Sequence, residues 1–402
     1  MVISMLELPG LVLKKNEDRR LRAGHVWIFS NEVDIQKTPL SEFEPGEPVA
    51  IVSHSGKHLG NAYVNPHSLI CARLVSRRTD YILDKSLLVH RLKIALALRQ
   101  RLFAEPWYRL VFGESDGLPG LVVDRYDSVL VAQITTAGME RLKQDIVTAL
   151  QQVLKPEAIM LRNDSSSRCL EGLQQYTEVA FGELPEQVIL TENDTRFAVS
   201  LQGGQKTGWF FDQRMNRARL ASYVKGARVL DVFSYSGSWG IQAALHGADS
   251  VICVDDSEKA VELVRHNAAL NTLSDRVSAI KADGFEILKQ FRAEEQHFDV
   301  IVLDPPAFIK RKKDLKKGRE AYARLNQWGM RLLSKDGILI TSSCSYHMQR
   351  SDMQRLLLKG AVHIDREMML LEQGQQGPDH PIHPAIPETN YLKTFFLRLL
   401  PR

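Results

Sequence analysis

The sequence predicts an α/β chain: a C-terminal doubly wound domain, preceded by a small β-barrel and a middle α+β region. Three observations carry this. From about residue 191, near-continuous apolar runs alternate with amphipathic helical stretches, the pattern of a parallel sheet covered on both faces. Before about residue 76, short β-like runs such as "EPVAIVSHSGKHLGNAYV" and "LICARLVS" are separated by Gly, Pro and Asn, as in a small barrel. Between them lie a long helical stripe and a hairpin signal. The expected boundaries are 1–76, 77–190 and 191–402.

Bulk composition excludes several classes. The chain has 402 residues, 44% hydrophobic and 25% charged, which is ordinary globular material with room for two or three domains. No apolar run approaches the roughly 20 residues that a bilayer requires, so no membrane partner is expected. Residues Met1–Glu7 lack the basic-then-apolar layout of a signal peptide. The four cysteines (Cys71, Cys169, Cys253, Cys344) form no CxxC pair, so neither a zinc site nor a disulfide framework is suggested, and a reducing cytoplasm fits best. Net charge is only +4, but Lys310–Arg319 packs seven cations into ten residues. That run suits a solvated loop and equally suits phosphate contacts.

The elements follow in order. In "KKNEDRRLRAGHVWIFSNEV", cations are interleaved with Trp27 and Phe29, a pattern that suits RNA, although both rings read more simply as barrel core. Asp84–Phe103 is a helix with Leu87, Leu88, Leu92, Ala95, Leu96 and Leu102 as its apolar stripe. Runs on either side of Tyr126-Asp127-Ser128 form a hairpin, followed by a helix near Met139–Leu154 and a strand at Ala158–Arg162. In the last region, strand-turn-helix units begin at "ARVLDVFSYSGSWG", "DSVICVDDSEKA", "VSAIKADGFE" and "FDVIVLDPPAF". A helix near Arg319–Leu333 and the strand "GILITSSCS" come next, and "YLKTFFLRLL" is an antiparallel partner at the sheet's end.

Ligands of such sheets lie off the carboxyl ends of the strands. A dinucleotide fingerprint would place glycines at 233, 235 and 238, where the chain has Phe233, Tyr235 and Ser238. With Asp231 closing the strand and Gly237 opening the turn, a smaller nucleoside-like ligand fits better. Asp255 ends the second strand where ribose hydroxyls are gripped, with Asp256 or Ser257 free to cap the next helix. Asp283-Gly284 ends the third, where a carboxylate and a bare backbone could meet an adenine edge. This ordered set is the layout of an S-adenosylmethionine site. The fourth strand ends in Asp304-Pro305-Pro306-Ala307-Phe308, two prolines that fix the backbone behind an acid and an aromatic able to stack on a base. The fifth ends in "TSSCSYHM", where Cys344 is either a buried filler or a nucleophile on the sheet's rim.

Taken together, "GQKTGWFFDQRMNR" (204–217), "LDVFSYSGSWG", "VDDS", "KADGFE", "LDPPAF", "SSCSYHM", "DHP" and "YLKTFF" resemble the RlmI-type 23S rRNA (cytosine-C5)-methyltransferases along the whole chain. The resemblance implies a PUA domain, a middle α+β domain and a class I (Rossmann-like) methyltransferase domain. It implies S-adenosyl-L-methionine held by Asp231, Phe233, Tyr235, Gly237, Asp255, Asp283, Gly284 and Asp304, with no metal. It further implies Cys344 as nucleophile toward cytosine C6 and Asp304 at the base edge. Pro305, Pro306, Phe308, Lys310, Arg311 and Lys312 would face the RNA. The implied partner is 23S rRNA of the large subunit or its precursor, with homodimerisation left open. Better-known RNA cytosine-C5 enzymes carry a second cysteine after the fourth-strand proline. Here Ala307 stands there, so the eliminating base is not legible; His347 is a candidate but reads more simply as a rim residue. Methylation of a guanine at N2 or N7 would need no thiol, and a non-catalytic RNA-binding assembly factor would need no methyl donor. The acids Asp231, Asp255, Asp283 and Asp304 speak against the latter.

Overall fold

The computed structural model describes residues 8–201 and 208–402. Met1–Glu7 and the segment 202–207, which includes the start of "GQKTGWFFDQRMNR", lie outside the described residues. The chain divides into two compact units: residues 1–188, 200–211 and 378–389 form one, and residues 189–199, 212–377 and 390–402 the other. The "DHP" segment therefore folds with the first unit, where the Asp379 carboxylate accepts from the Arg109 backbone N–H at 3.0 Å.

The first unit holds two five-stranded sheets. The N-terminal one runs from Gly10–Val12 to Ala72–Ser76 over a core of Leu11, Leu13, Ile28, Val49, Ile51, Val64 and Leu74. Ile28 takes the core place expected for its aromatic neighbours. Trp27 is half-buried, its indole N–H donating to Glu114 at 2.8 Å, and Phe29 is half-buried too. The second sheet contains the expected hairpin, Leu121–Tyr126 with Val129–Ile134, turned at Asp127 with φ 55°. Lys85–Leu102 is helical, with Asp84 capping its N-terminus through the Leu87 N–H at 2.8 Å. Its inner face keeps Leu87, Leu88, Leu92 and Ala95, but Leu102 is exposed. Arg99 is fully buried instead, forked onto Asp116 at 2.5 and 2.7 Å. The helix expected over Met139–Leu154 is two, Ala137–Arg141 and Lys143–Leu154.

The second unit is a seven-stranded sheet. In chain order its strands are β1 (Arg228–Val232), β2 (Ser250–Asp255), β3 (Val277–Lys281), β4 (Phe298–Leu303), β5 (Leu333–Ser343), β6 (Arg366–Gly374) and β7 (Lys393–Pro401). The spatial order is β3-β2-β1-β4-β5-β7-β6, with β1 to β5 parallel and β7 antiparallel to both its neighbours. Its helices are α1 (Arg214–Leu220), α2 (Ser238–Leu245), α3 (Glu258–Leu270), α4 (Gly284–Ala293), α5 (Leu315–Leu332) and α6 (Arg350–His363). Helix α3 buries Ala260, Val261, Val264 and Ala268, as its spacing predicts. The expected edge position of "YLKTFFLRLL" is corrected: β7 is inserted between β5 and β6. Its run Phe395, Phe396, Leu397, Leu399 is fully buried because a strand with neighbours on both sides and helices on its faces meets no water. The edge strand β6, "REMMLLEQG", has no period-2 alternation in sequence and is legible only once β7 is placed. Among the described residues no helix is long and apolar enough to cross a membrane.

Candidate active site

The β1–α2 turn is built under strain. Phe233 and Tyr235 both have positive φ, 67° and 49°, a region that costs a side chain about 1 kcal/mol or more. The Phe233 and Ser234 N–H groups both donate to Val254 O, at 2.9 and 3.0 Å, and the Tyr235 N–H donates to the Asp255 carboxylate at 2.9 Å. Gly237 has φ +77°, and a Cβ there would stand 2.9 Å from the Ile241 side chain. Gly284 is required for a different reason: a Cβ would lie 2.6 Å from the Phe233 ring. The bulky Phe233 is thus accommodated by a bare backbone on α4.

Four acids end or follow the strands, and the structure uses them differently. Asp231 is fully buried. Its Oδ2 accepts from the Gly240 N–H at 3.0 Å, while Oδ1 has no hydrogen-bond partner among the described residues. Burial pushes its carboxyl up to about 7, with Asp304 and Asp255 adding to the rise. Asp255 also has a raised pKa through burial, opposed by the N–H groups of Ser257 and Tyr235. The cap of α3 is Ser257, through the Ala260 N–H at 3.4 Å, which leaves Asp255 at the strand end. Asp283 is exposed, and its Oδ1 caps α4 through Phe285 and Glu286 at 2.8 and 3.0 Å. Its local duty is therefore helix capping.

Asp304 is half-buried at the end of β4, its N–H reaching Val232 O at 3.5 Å as the last link to β1. Pro305, which has no N–H, ends the ladder there and is itself buried, whereas Pro306 is exposed. The Gln213 amide donates to both Asp304 oxygens at 3.0 Å, and the Trp239 indole N–H donates to Oδ2 at 3.1 Å. Burial still wins over these donors, and the Asp212 charge adds to it, so the Asp304 carboxyl is pushed up to about 6.

Strands β4 and β5 are neighbours, with Leu303 opposite Thr341, so Asp304 and the "SSCS" run leave the sheet side by side. The Gln213 amide spans them, lying 3.2 Å from Ser342 Oγ. Cys344 is half-exposed, and Ser345 after it is pinned three ways. Its hydroxyl meets the Ile309 N–H at 3.1 Å and the Tyr322 hydroxyl at 3.0 Å, and its carbonyl accepts from Lys393 Nζ at 2.8 Å. The other thiols differ. Cys71 and Cys253 are buried, while Cys169 is exposed on a short helical turn.

Phe308 packs against Tyr322 (ring centroids 4.8 Å apart) and Phe285 (6.0 Å), so its ring is already engaged, though half-exposed. Lys310, Arg311 and Lys312 are exposed on the loop that follows, with Arg311 3.3 Å from Asp314. His347 is half-buried beside Tyr346. Sequence reasoning missed Gln213, Trp239 and Lys393 as members of this edge. All three lie inside the motifs quoted above, but only the fold shows which atoms they meet.

A family model described as "PUA-like domain" matches residues 11–77, and one described as "Conserved hypothetical protein 95" matches residues 215–354. The fold is shared with SMU.776, a candidate methyltransferase crystallised with SAH, at a TM-score of 0.83 and 23% identity, covering 97% of this chain and 100% of that one. The ribosomal RNA large subunit methyltransferase I of Shewanella frigidimarina is 40% identical over 96% of this chain and 98% of its own length. That of Tolumonas auensis is 39% identical over the same shares. Identity at this level, over 96% of the chain, means that the chain belongs to the ribosomal RNA large subunit methyltransferase I family.

Proposed function

We propose that the chain methylates C5 of a cytosine in 23S rRNA, using S-adenosylmethionine, through a covalent bond between Cys344 and C6 of the base. The observation that carries this reading is the Gln213 amide, which ties the Asp304 carboxylate to Ser342, two residues before Cys344, across adjacent strands.

The β1–β2 corner fits the donor. Asp231 Oδ1 and the hydroxyls of Ser234 and Ser236 are buried without hydrogen-bond partners among the described residues, beside a strained turn and a raised carboxyl. Asp231, Phe233, Tyr235, Gly237, Asp255, Asp283, Gly284 and Asp304 would hold S-adenosylmethionine. When bound, it supplies an electrophilic methyl group. Cytosine C5 is a poor nucleophile, and the chain's own groups correct that. The Cys344 thiolate attacks C6, and the electrons of the C5–C6 bond move toward C5 and the ring carbonyl. The Asp304 carboxyl, partly protonated near pH 6, meets N3, and its acceptor atoms meet the exocyclic amine. With C5 methylated, its proton passes to a base, the C5–C6 double bond re-forms, and the C6–S pair returns to sulfur. The target base must leave its stack, at a few kcal/mol, which favours a loop.

In this reading residues 1–76 hold RNA, 77–190 space the parts, and 191–402 carry the chemistry in the cytoplasm. Pro305, Pro306 and Phe308 shape the base's edge of the site, and Lys310, Arg311 and Lys312 contact phosphates. Incubating the protein with S-adenosylmethionine and unmodified 23S rRNA, followed by nucleoside mass spectrometry, is the direct test. The expected product is 5-methylcytidine. N2- or N7-methylguanosine in its place would overturn the reading.

A further inference from the structure

Lys393 opens β7 directly opposite Ser343, the residue before Cys344, and is only 4% exposed. A buried ammonium is costly unless an anion or several acceptors face it. Among the described residues Lys393 has neither: its ammonium donates to the neutral Ser345 carbonyl, and no carboxylate of those residues forms an ion pair with it. That carbonyl belongs to the residue after Cys344, and Ser345 is anchored on its other side by Ile309 and Tyr322. Lys393 is therefore fixed on both sides of the thiol, its backbone opposite Ser343 and its ammonium on the Ser345 carbonyl.

We propose that Lys393 is a positioning residue that holds Cys344 as a thiolate, so that the buried cation finds its counter-ion in the reacting sulfur. The proposal rests on the reading of Cys344 as the attacking group. Titratable groups near the pair lie on α5, on α6 and at the end of β4. Tyr322 of α5 has its phenol pushed up, mainly by burial, and also feels Cys344. Arg350 of α6 repels the Lys393 proton and cannot itself titrate in range. Asp304 at the end of β4 is held by Gln213. Burial brings the Lys393 ammonium down to about 8, and Cys344 is the group that opposes the fall. Coupling of this kind is reciprocal: what the ionised sulfur does for the lysine's proton, the lysine does for the sulfur's negative charge. The same charge eases the return of the electron pair to sulfur when the adduct breaks.

The test is the pH dependence of iodoacetamide alkylation at Cys344, read peptide by peptide in the full chain. Exposed Cys169 serves as an internal control. The wild-type inflection at Cys344 should lie at least one pH unit below the ordinary thiol value of about 8.5. Lys393→Met should move it up by about one unit or more, roughly tenfold less thiolate at neutral pH, and Lys393→Arg should restore it. A wild-type inflection at or above 8.5 would overturn the proposal without any variant, as would equal inflections in wild type and a folded Lys393→Met. Alkylation requires no methyl transfer. If Cys344→Ser retained methylation, the functional reading would fail while this profile still decided the role of Lys393.

Discussion

The two ends of the β1–β5 edge have opposite electrostatics. At the β1–β2 end, Asp304 and Asp255 add to the burial that raises the proton affinity of Asp231. Cys253 lies there too, its thiol pushed well up by burial and by Asp231. At the β5–β7 end the buried titrating charge is Lys393, with Arg350 beside it, and the thiol is half-exposed. Two cysteines in one sheet thus meet contrary fields: Cys253 is kept protonated and inert, and Cys344 stands by a cation. The size of the acidic effect is informative. Raising Asp231 from 3.8 to about 7 corresponds to roughly 4 kcal/mol against ionisation, more than one backbone N–H can offset. Such a corner favours a cationic ligand, and the opposite corner favours an anionic nucleophile. The division matches a positively charged methyl donor at one end and a thiolate at the other.

The sharpest way to break the comparison is to remove the sulfur at the cationic end. Cys344→Ser should lower methyl transfer by about 10³-fold or more while Cys253→Ala leaves the rate within about threefold, both read by radiolabel incorporation into rRNA. Comparable losses in the two variants would erase the distinction. Asp304→Asn comes next, with an expected loss of roughly 10²-fold, because an amide cannot deliver a proton at N3. Its stability should move the other way. The folded carboxyl is raised to about 6, so its contribution to stability is fully present below the unfolded value near 3.8 and is lost as pH rises through 6. At pH 8 the asparagine variant should therefore be no less stable than wild type in urea, although nearly inactive.

Much of this edge was legible in sequence, for a physical reason. Apolar strands must alternate with helices in a covered parallel sheet, so the strand ends, and with them Asp231, Asp255, Asp304 and Cys344, could be placed by counting. Residues that act across the sheet could not. Gln213 precedes α1 by one residue and reaches Asp304 only because that segment crosses the β4–β5 ends, and Lys393 lies 49 positions after Cys344, brought back by β7. The insertion of β7 was misplaced because a buried antiparallel strand and a buried edge strand read alike in composition. Asp283 shows that a second duty can also be hidden: the strand-end acid read as a ligand group is, in addition, the N-cap of α4.

A smaller effect sharpens the acidic half. If a cationic donor settles near Asp231, binding should favour the ionised carboxylate and release protons around its raised value of about 7. Affinity for S-adenosylmethionine should then rise several-fold, up to about tenfold, between pH 6 and pH 8. The neutral thioether S-adenosylhomocysteine should show a flatter profile. Calorimetry in buffers of different ionisation heat measures both, and identical profiles for the two ligands would detach Asp231 from the donor's charge.

The least effect is expected outside the edge altogether, on the loop that continues from Phe308. Lys310, Arg311 and Lys312 are exposed, and the one ion pair among them, Arg311 with Asp314, is itself solvent-facing. Exposed cations of this kind act on a polyanion by counter-ion release, so their removal should change affinity and its salt dependence but not the chemical step. Replacing all three with alanine should weaken RNA binding a few-fold near physiological salt. The slope of log affinity against log salt should fall by about two, since a single strand contributes roughly 0.7 per phosphate contact. The rate at saturating RNA should stay within about twofold. A fall in that rate with the slope unchanged would move the cluster from phosphate contact to the reacting end, where its charge would join Lys393 in setting the state of Cys344.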